Sequence, residues 1–287
     1  MYKSVPILLI IFTFFLNAKT EEESKKKRII SLAPAVTEEL FLLDAGDEVV
    51  GVSSYCKQPI ETQQKKIVGT IITADIEKIL TLKPDILIIT PLFPIKLKEK
   101  LKSLRIKTKT SRNPKNYEEL CKNFLFVADL VGKREKAQKM LSEVQKKLNK
   151  LKKKTKTGKK EKIFIQLGAK PIYTIIHESY FTDLINFAGG INSVPLDYKG
   201  AYYSRERVLV DNPDHIFIMD MGKIGENEKN IWQKFKIITA VKNSSIHIVD
   251  SSKIGSTTPF SFLEMVKFFS EKMSNPKTDC TKTLRTK

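Results

Sequence analysis

Two stretches of this chain repeat one local pattern, and that repeat confines it to a two-lobed architecture. Ile76-Glu77-Lys78-Ile79-Leu80 is followed by Lys83-Pro84-Asp85 and the apolar run Ile86-Leu87-Ile88-Ile89. Arg205-Glu206-Arg207-Val208-Leu209 is followed by Asn212-Pro213-Asp214 and then His215-Ile216-Phe217-Ile218. Proline lacks the N–H that a continuing helix needs and disfavours helical geometry in the residue before it. Each copy therefore reads as a short helix that stops at a Pro-Asp turn and feeds a buried strand. Glu77 and Glu206 fall at equivalent points. Two similar lobes place a ligand in the cleft between them, which points to binding rather than catalysis.

With 287 residues the chain is long enough for two cores of roughly 100 residues or more each. Its start is a different kind of segment: Lys3 precedes an apolar run over 5–16, then Asn17-Ala18-Lys19 and a polar stretch over 21–27. Roughly a dozen apolar residues fall short of a membrane span and fit a secretory signal peptide, assigned to 1–20, which predicts a periplasmic location. No cysteine follows the run, which argues against a lipid anchor. Cys56, Cys121 and Cys280 are too scattered for a disulfide framework or a zinc site, although one bridge stays open. The net charge of +19 draws heavily on lysines between 146 and 162. No nucleic-acid motif or interleaved aromatic stripe accompanies them, so they read as a solvated helix face and link, and nucleic acid is not expected as a partner.

A strand is predicted over 28–32, then a helix over 33–43 with Pro34 in its first turn and Gly46 as its stop. A strand over 49–52, the short helix from 76, the strand from 85 and a helix end entering a strand over 103–107 follow. Alternating strands and helices predict an α/β fold with parallel sheets covered on both faces. Apolar residues at Ala137, Met140, Leu141, Val144, Leu148 and Leu151 predict an amphipathic helix over 134–154, about 30 Å long. The second half repeats the scheme: strand 162–167, helix 181–188 ended by Gly189-Gly190, helix 205–210, and strands 215–219 and 245–249. The expected organisation is a first lobe over 28–126, an interlobe helix and link over 127–158, a second lobe over 159–274 and a polar tail over 275–287.

Several phrases in this order carry a resemblance: Arg28-Ile29-Ile30-Ser31-Leu32-Ala33-Pro34 with Thr37-Glu38, Val50-Gly51-Val52-Ser53-Ser54-Tyr55, Glu77-Lys78-Ile79 leading to Leu82-Lys83-Pro84-Asp85, Gln166-Leu167-Gly168, Gly189-Gly190-Ile191-Asn192, and Ser204-Arg205-Glu206. Together they resemble the periplasmic cobalamin-binding proteins and their haem- and ferric-siderophore-binding relatives, the substrate-binding subunits of ABC importers. The resemblance covers nearly all of the chain after the leader. It implies two Rossmann-like lobes joined by one long helix, monomeric, capturing a small molecule and handing it to a membrane permease. A cobalamin-like corrinoid is the implied ligand, with haem or a ferric siderophore as the alternative and no separate cofactor. A secreted basic adhesion or nucleic-acid-binding protein is the alternative of another class.

The resemblance implies cleft-facing aromatics at Tyr55 and Tyr173, since conjugated rings suit the face of a corrin or porphyrin. Core packing is the competing reading for each. Tyr202 and Tyr203 precede the second-lobe helix at a natural rim, and the sequence leaves open which of them turns inward. Ile71 stands where close cobalamin binders present an indole, a departure that bears on the ligand and not on the fold. The loop at Ala33 and Pro34, with Thr37, begins a helix after the first strand, where open parallel sheets hold ligands. Glu77 and Glu206 are implied to meet arginines on two permease subunits; a helix-dipole role is the plainer reading.

No phosphate-binding loop, dinucleotide fingerprint or nucleophile elbow is present, so no enzyme is expected. His215 and His247 lie inside apolar strand runs and read as packed residues. His177 beside Glu178 has no partner at metal-ligand spacing, so no metal site is assigned; it remains open as an axial ligand or as a surface histidine.

Overall fold

Strands and helices alternate along both halves of the chain in a computed structural model that describes residues 26–154, 160–200, 202–220, 225–250 and 257–274. The predicted leader, the lysines of the link at 155–159, Cys280 and the polar tail lie outside the described residues. The first half contains β1 (Ile29–Ser31), α1 (Pro34–Leu42), β2 (Val49–Ser53), β3 (Lys66–Gly69), α2 (Ile76–Leu82), β4 (Ile86–Ile89), α3 (Ile95–Ser103) and β5 (Thr108–Thr110). Its sheet runs β3-β2-β1-β4-β5 with every neighbouring pair parallel. Next come α4 (Tyr117–Leu130) and α5 (Arg134–Lys154). The second half contains β6 (Lys162–Gln166), α6 (Tyr180–Ala188), β7 (Ile191–Asn192), α7 (Arg205–Asp211), β8 (His215–Asp220), α8 (Gly225–Trp232), α9 (Thr239–Lys242), β9 (Ile246–Asp250) and α10 (Pro259–Ser274). Its sheet runs β7-β6-β8-β9, also parallel.

Helices cover both faces of each sheet, so adjacent strand residues enter opposite cores and the strands are apolar throughout. Ile29 packs with Leu40 and Phe124, whereas Ile30 packs with Ile79 and Leu101. In the second sheet Ile163 and Ile165 join Phe181 and Phe269, whereas Phe164 joins Val208 and Trp232.

The duplication read from the sequence extends to single hydrogen bonds. Asp75 caps α2 by accepting from Lys78 N, and Ser204 caps α7 by accepting from Arg207 N. Both helices end on a left-handed residue, Lys83 at φ 45° and Asn212 at φ 47°, before the proline. Asp85 then accepts from Arg28 N and donates its own N–H to Arg28 O, each at 2.8 Å. Asp214 makes the same two bonds with Lys162 at the same distances. The aspartate of each Pro-Asp turn thus pins the start of the first strand of its lobe beside β4 or β8.

One expectation, Gly46 as the stop of α1, is not met. The stop of α1 is Asp44, which takes φ 55° after the last turn, whereas Gly46 opens a short 3₁₀ turn at Gly46–Glu48. A Cβ on Gly46 would lie 2.6 Å from the Phe41 ring, so that glycine serves close packing rather than the cap. The long helix expected between the lobes is α5, and α4 and α10 pack against it. α5 contributes Ala137, Met140 and Leu141 to the first core and Val144, Leu148 and Leu151 to the second. Running the other way, α4 places Tyr117 and Leu120 in the second core and Phe124, Val127 and Ala128 in the first. Phe260 of α10 closes on Phe124 edge to face, with ring centroids 5.2 Å apart.

Candidate functional site

In an open parallel sheet the chain leaves the carboxyl ends of neighbouring strands in opposite directions at the point where strand order reverses, and a crevice opens there. In the first sheet that point lies between β1 and β4. The segments that follow them, Ala33 to Val36 and Thr90-Pro91, line a cleft of about 300 Å³. Ser111 to Pro114 after β5, and Asn123 and Phe126 on α4, extend its wall. Tyr180 of α6 and Thr257 face them from the second half, joined to each other by a 2.9 Å hydroxyl hydrogen bond.

The start of α1 is braced from below. Thr37 Oγ1 donates to Ser31 Oγ at 2.8 Å, and Cys56 Sγ lies 3.1 Å from Thr37 Oγ1 and 3.2 Å from Ser53 Oγ. This buried cluster ties the ends of β1 and β2 to the helix and fixes Ala33 and Pro34 at the cleft wall, where the sequence reading placed them. Thr37 is wholly buried and serves its helix. Glu39, one turn further, also lines the cleft although it is only 2 % exposed. Burial holds its carboxyl well above the usual range, and the nearby Glu38 adds to the shift.

The predicted aromatics divide. Tyr173 and Tyr202 come together on the second lobe: they form an isolated antiparallel bridge, their rings lie 4.8 Å apart at 42°, and their hydroxyls are 3.4 Å apart. They are 39 % and 58 % exposed, an open aromatic surface. The hydrogen bond to Tyr202 raises the pKa of Tyr173. Tyr203 is the correction. It is 4 % exposed, packs its ring against Phe164, and its hydroxyl donates to Asp211, so it belongs to the second-lobe core and not to the rim. Alternation along an extended segment explains the split, because neighbouring side chains point to opposite faces.

Tyr55 follows β2, is 57 % exposed and touches no other ring among the described residues. Ile71 is half-buried at the turn after β3, and its carbonyl accepts from Thr90 Oγ1 at 3.0 Å, which ties it to the cleft edge. Glu77 and Glu206 are exposed in the first turns of α2 and α7. His177 Nε2 lies 2.7 Å from Val194 O, which places its proton on that nitrogen and makes it a loop tie. His215 and His247 are buried with their ring nitrogens 3.3 Å apart. No group of three histidines, cysteines or carboxylates among the described residues is placed to hold a metal ion.

Tyr180, Arg112, Asn123 and Phe126 line the cleft and were not read from the sequence. Tyr180 had a local signal, since it directly follows the capping residue Ser179 of α6. The others sit where α4 and the β5 exit meet the cleft, a matter of tertiary placement.

The family signature described as periplasmic binding protein matches residues 29–252. A vitamin B12-binding protein of Vibrio cholerae is 28 % identical over 258 residues, covering 89 % of this chain and 92 % of the relative. An uncharacterized ABC transporter substrate-binding lipoprotein of Bacillus subtilis is 26 % identical over 251 residues, covering 85 % and 79 %. Among solved structures, the periplasmic vitamin B12 binding protein of Vibrio cholerae superposes with a TM-score of 0.72 at 28 % identity, covering 86 % of this chain and 96 % of that one. A possible iron-binding periplasmic solute-binding protein of Staphylococcus epidermidis does so at 0.77 and 26 %, covering 87 % and 99 %.

Proposed function

We propose, since this chain belongs to the periplasmic binding protein family, that it captures a cobalamin-like corrinoid outside the cytoplasm and delivers it to the membrane permease of an ABC importer. The observation that carries the reading is the cleft at the strand-order reversal of the first sheet, faced by Tyr180 and Thr257 of the second half. Its volume, about 300 Å³, sits at the small end of ligand pockets, so a macrocycle wider than this engages it by one side. The exposed rings of Tyr55, Tyr173 and Tyr202, with Ile71 at the edge, supply apolar surface for the rest. Each Å² of apolar surface removed from water is worth about 25 cal/mol, so a broad flat ligand gains from several such contacts at once.

In this reading no step of chemistry occurs on the protein. Glu77 and Glu206 project from matched helices on the two lobes, and we assign them to permease docking. The leader over 1–20 directs export to the periplasm, the protein acts as a monomer, and its lysines serve solvation rather than nucleic acid. Native mass spectrometry with a visible absorption spectrum, on protein purified from its own cell envelope, tests the ligand: a corrin supports the assignment, whereas a haem or an iron-siderophore complex replaces it.

A further inference from the structure

Glu39 is a carboxyl placed where a soluble protein rarely keeps one. It is 2 % exposed, its neighbours on α1 are Val36 and Leu40, and its side chain makes no hydrogen bond or ion pair among the described residues. A buried polar group without a partner is destabilising, and a leucine at this position would carry no such cost. Yet the residue lines the cleft, between the start of α1 and Asn123, Phe126 and Tyr180. Among the described residues Arg112 is the sole cation on the lining, and it is exposed.

We propose that Glu39 is a specificity-determining residue at the cleft, donating a hydrogen bond to an acceptor oxygen of the ligand, the carbonyl of a carboxamide if the ligand is a corrinoid. The proposal rests on the binding role argued above and deepens it. Burial and Glu38 both favour the neutral acid, the form of a carboxyl that donates. The other titratable groups near it are Glu38 on its own helix and Cys121 of α4, which Tyr117 in turn contacts, while Tyr180 of α6 and Arg112 after β5 share the cleft lining. A neutral donor discriminates: a ligand oxygen satisfies it, whereas an apolar group leaves it buried and unpaired.

Titration calorimetry of the wild type, Glu39→Gln and Glu39→Leu with cyanocobalamin, haem and a ferric hydroxamate tests this, alongside thermal unfolding of each apo protein. Glutamine keeps a donor and should bind within about threefold of the wild type, whereas leucine should bind at least about tenfold more weakly with an unfolding midpoint no lower. Wild-type affinity should fall as rising pH ionises the acid, and that of Glu39→Gln should not. Equal binding by the leucine variant overturns the proposal. So does a leucine variant that loses binding and stability together, since that is the mark of a structural role. If the wild type ignores cyanocobalamin but takes an iron ligand, the corrinoid reading fails alone and the same comparison on that ligand decides Glu39. A wild type that binds none of the three overturns both.

Discussion

Arg205 Nη2 lies 2.5 Å from Glu228 Oε2 in the second lobe, and the Glu228 side chain is 1 % exposed. The same oxygen accepts from Gln166 Nε2 at 2.7 Å, Gln166 Oε1 accepts from Trp232 Nε1 at 2.6 Å, and the guanidinium stacks over the Trp232 ring at 4.7 Å. The network ties the end of β6 to α7 and α8, and so fixes the helix that presents Glu206. Removing one partner of a buried pair leaves an uncompensated charge. Arg205→Met should therefore cost about 3 kcal/mol in urea unfolding, at the low end for buried pairs because Arg205 retains some solvent contact. The double variant Arg205→Met, Glu228→Met should recover part of that loss.

The three second-lobe tyrosines should separate cleanly. Tyr203→Ala empties a core position and should lower stability by about 3 kcal/mol. Tyr173→Ala and Tyr202→Ala should leave the apo unfolding midpoint nearly unchanged while weakening ligand binding by about 1 to 3 kcal/mol each. Paired thermal unfolding and titration of the three variants make the comparison.

Burial lowers the pKa of His215 against the opposing pull of Glu161, whose carboxylate lies 3.1 Å from Nε2. A histidine whose folded pKa lies below its unfolded value binds fewer protons when folded. Stability therefore rises with pH between the two values and is lost as pH falls below about 6.5. Unfolding midpoints measured from about pH 8 down to about pH 5 should fall below neutrality, and His215→Phe should flatten that slope.

Much of this fold was legible because its signals are local. The Pro-Asp turns at Pro84 and Pro213 forced two helix-to-strand switches, and the apolar spacing from Ala137 to Leu151 marked α5. By contrast α10 went unread, although Glu264, Lys267, Glu271 and Ser274 recur at spacings of three and four and mark its exposed face; its other side, with Phe262, Leu263, Val266 and Phe269, is buried against α5 and α6. α4 did carry a signal that went unread, since Asn116 Oδ1 caps it by accepting from Glu119 N at 2.8 Å. At the site, Ala33 and Pro34 were readable from their place after β1. Which of Tyr202 and Tyr203 turns into the core was not, because strand register decides it and both residues are tyrosine.

Glu77 and Glu206 hold equivalent positions on helices capped in the same way, and hydrogen bonding at the helix start keeps Glu206 below the usual carboxylate range. A capping role alone is worth about 0.3 to 1 kcal/mol. Glu77→Arg with Glu206→Arg should preserve folding and ligand binding while abolishing ligand-dependent ATP hydrolysis by the reconstituted permease. Normal hydrolysis by the double variant would reduce both residues to capping.

The ligand proposed for the cleft between the lobes is a corrinoid. Titration calorimetry of the apo protein with cyanocobalamin, haem and ferric siderophores in parallel tests it most directly. Saturable binding of one cyanocobalamin per chain, weakened by Tyr173→Ala, is the expected result; an absence of heat with cyanocobalamin beside tight binding of an iron complex would rule a corrinoid out.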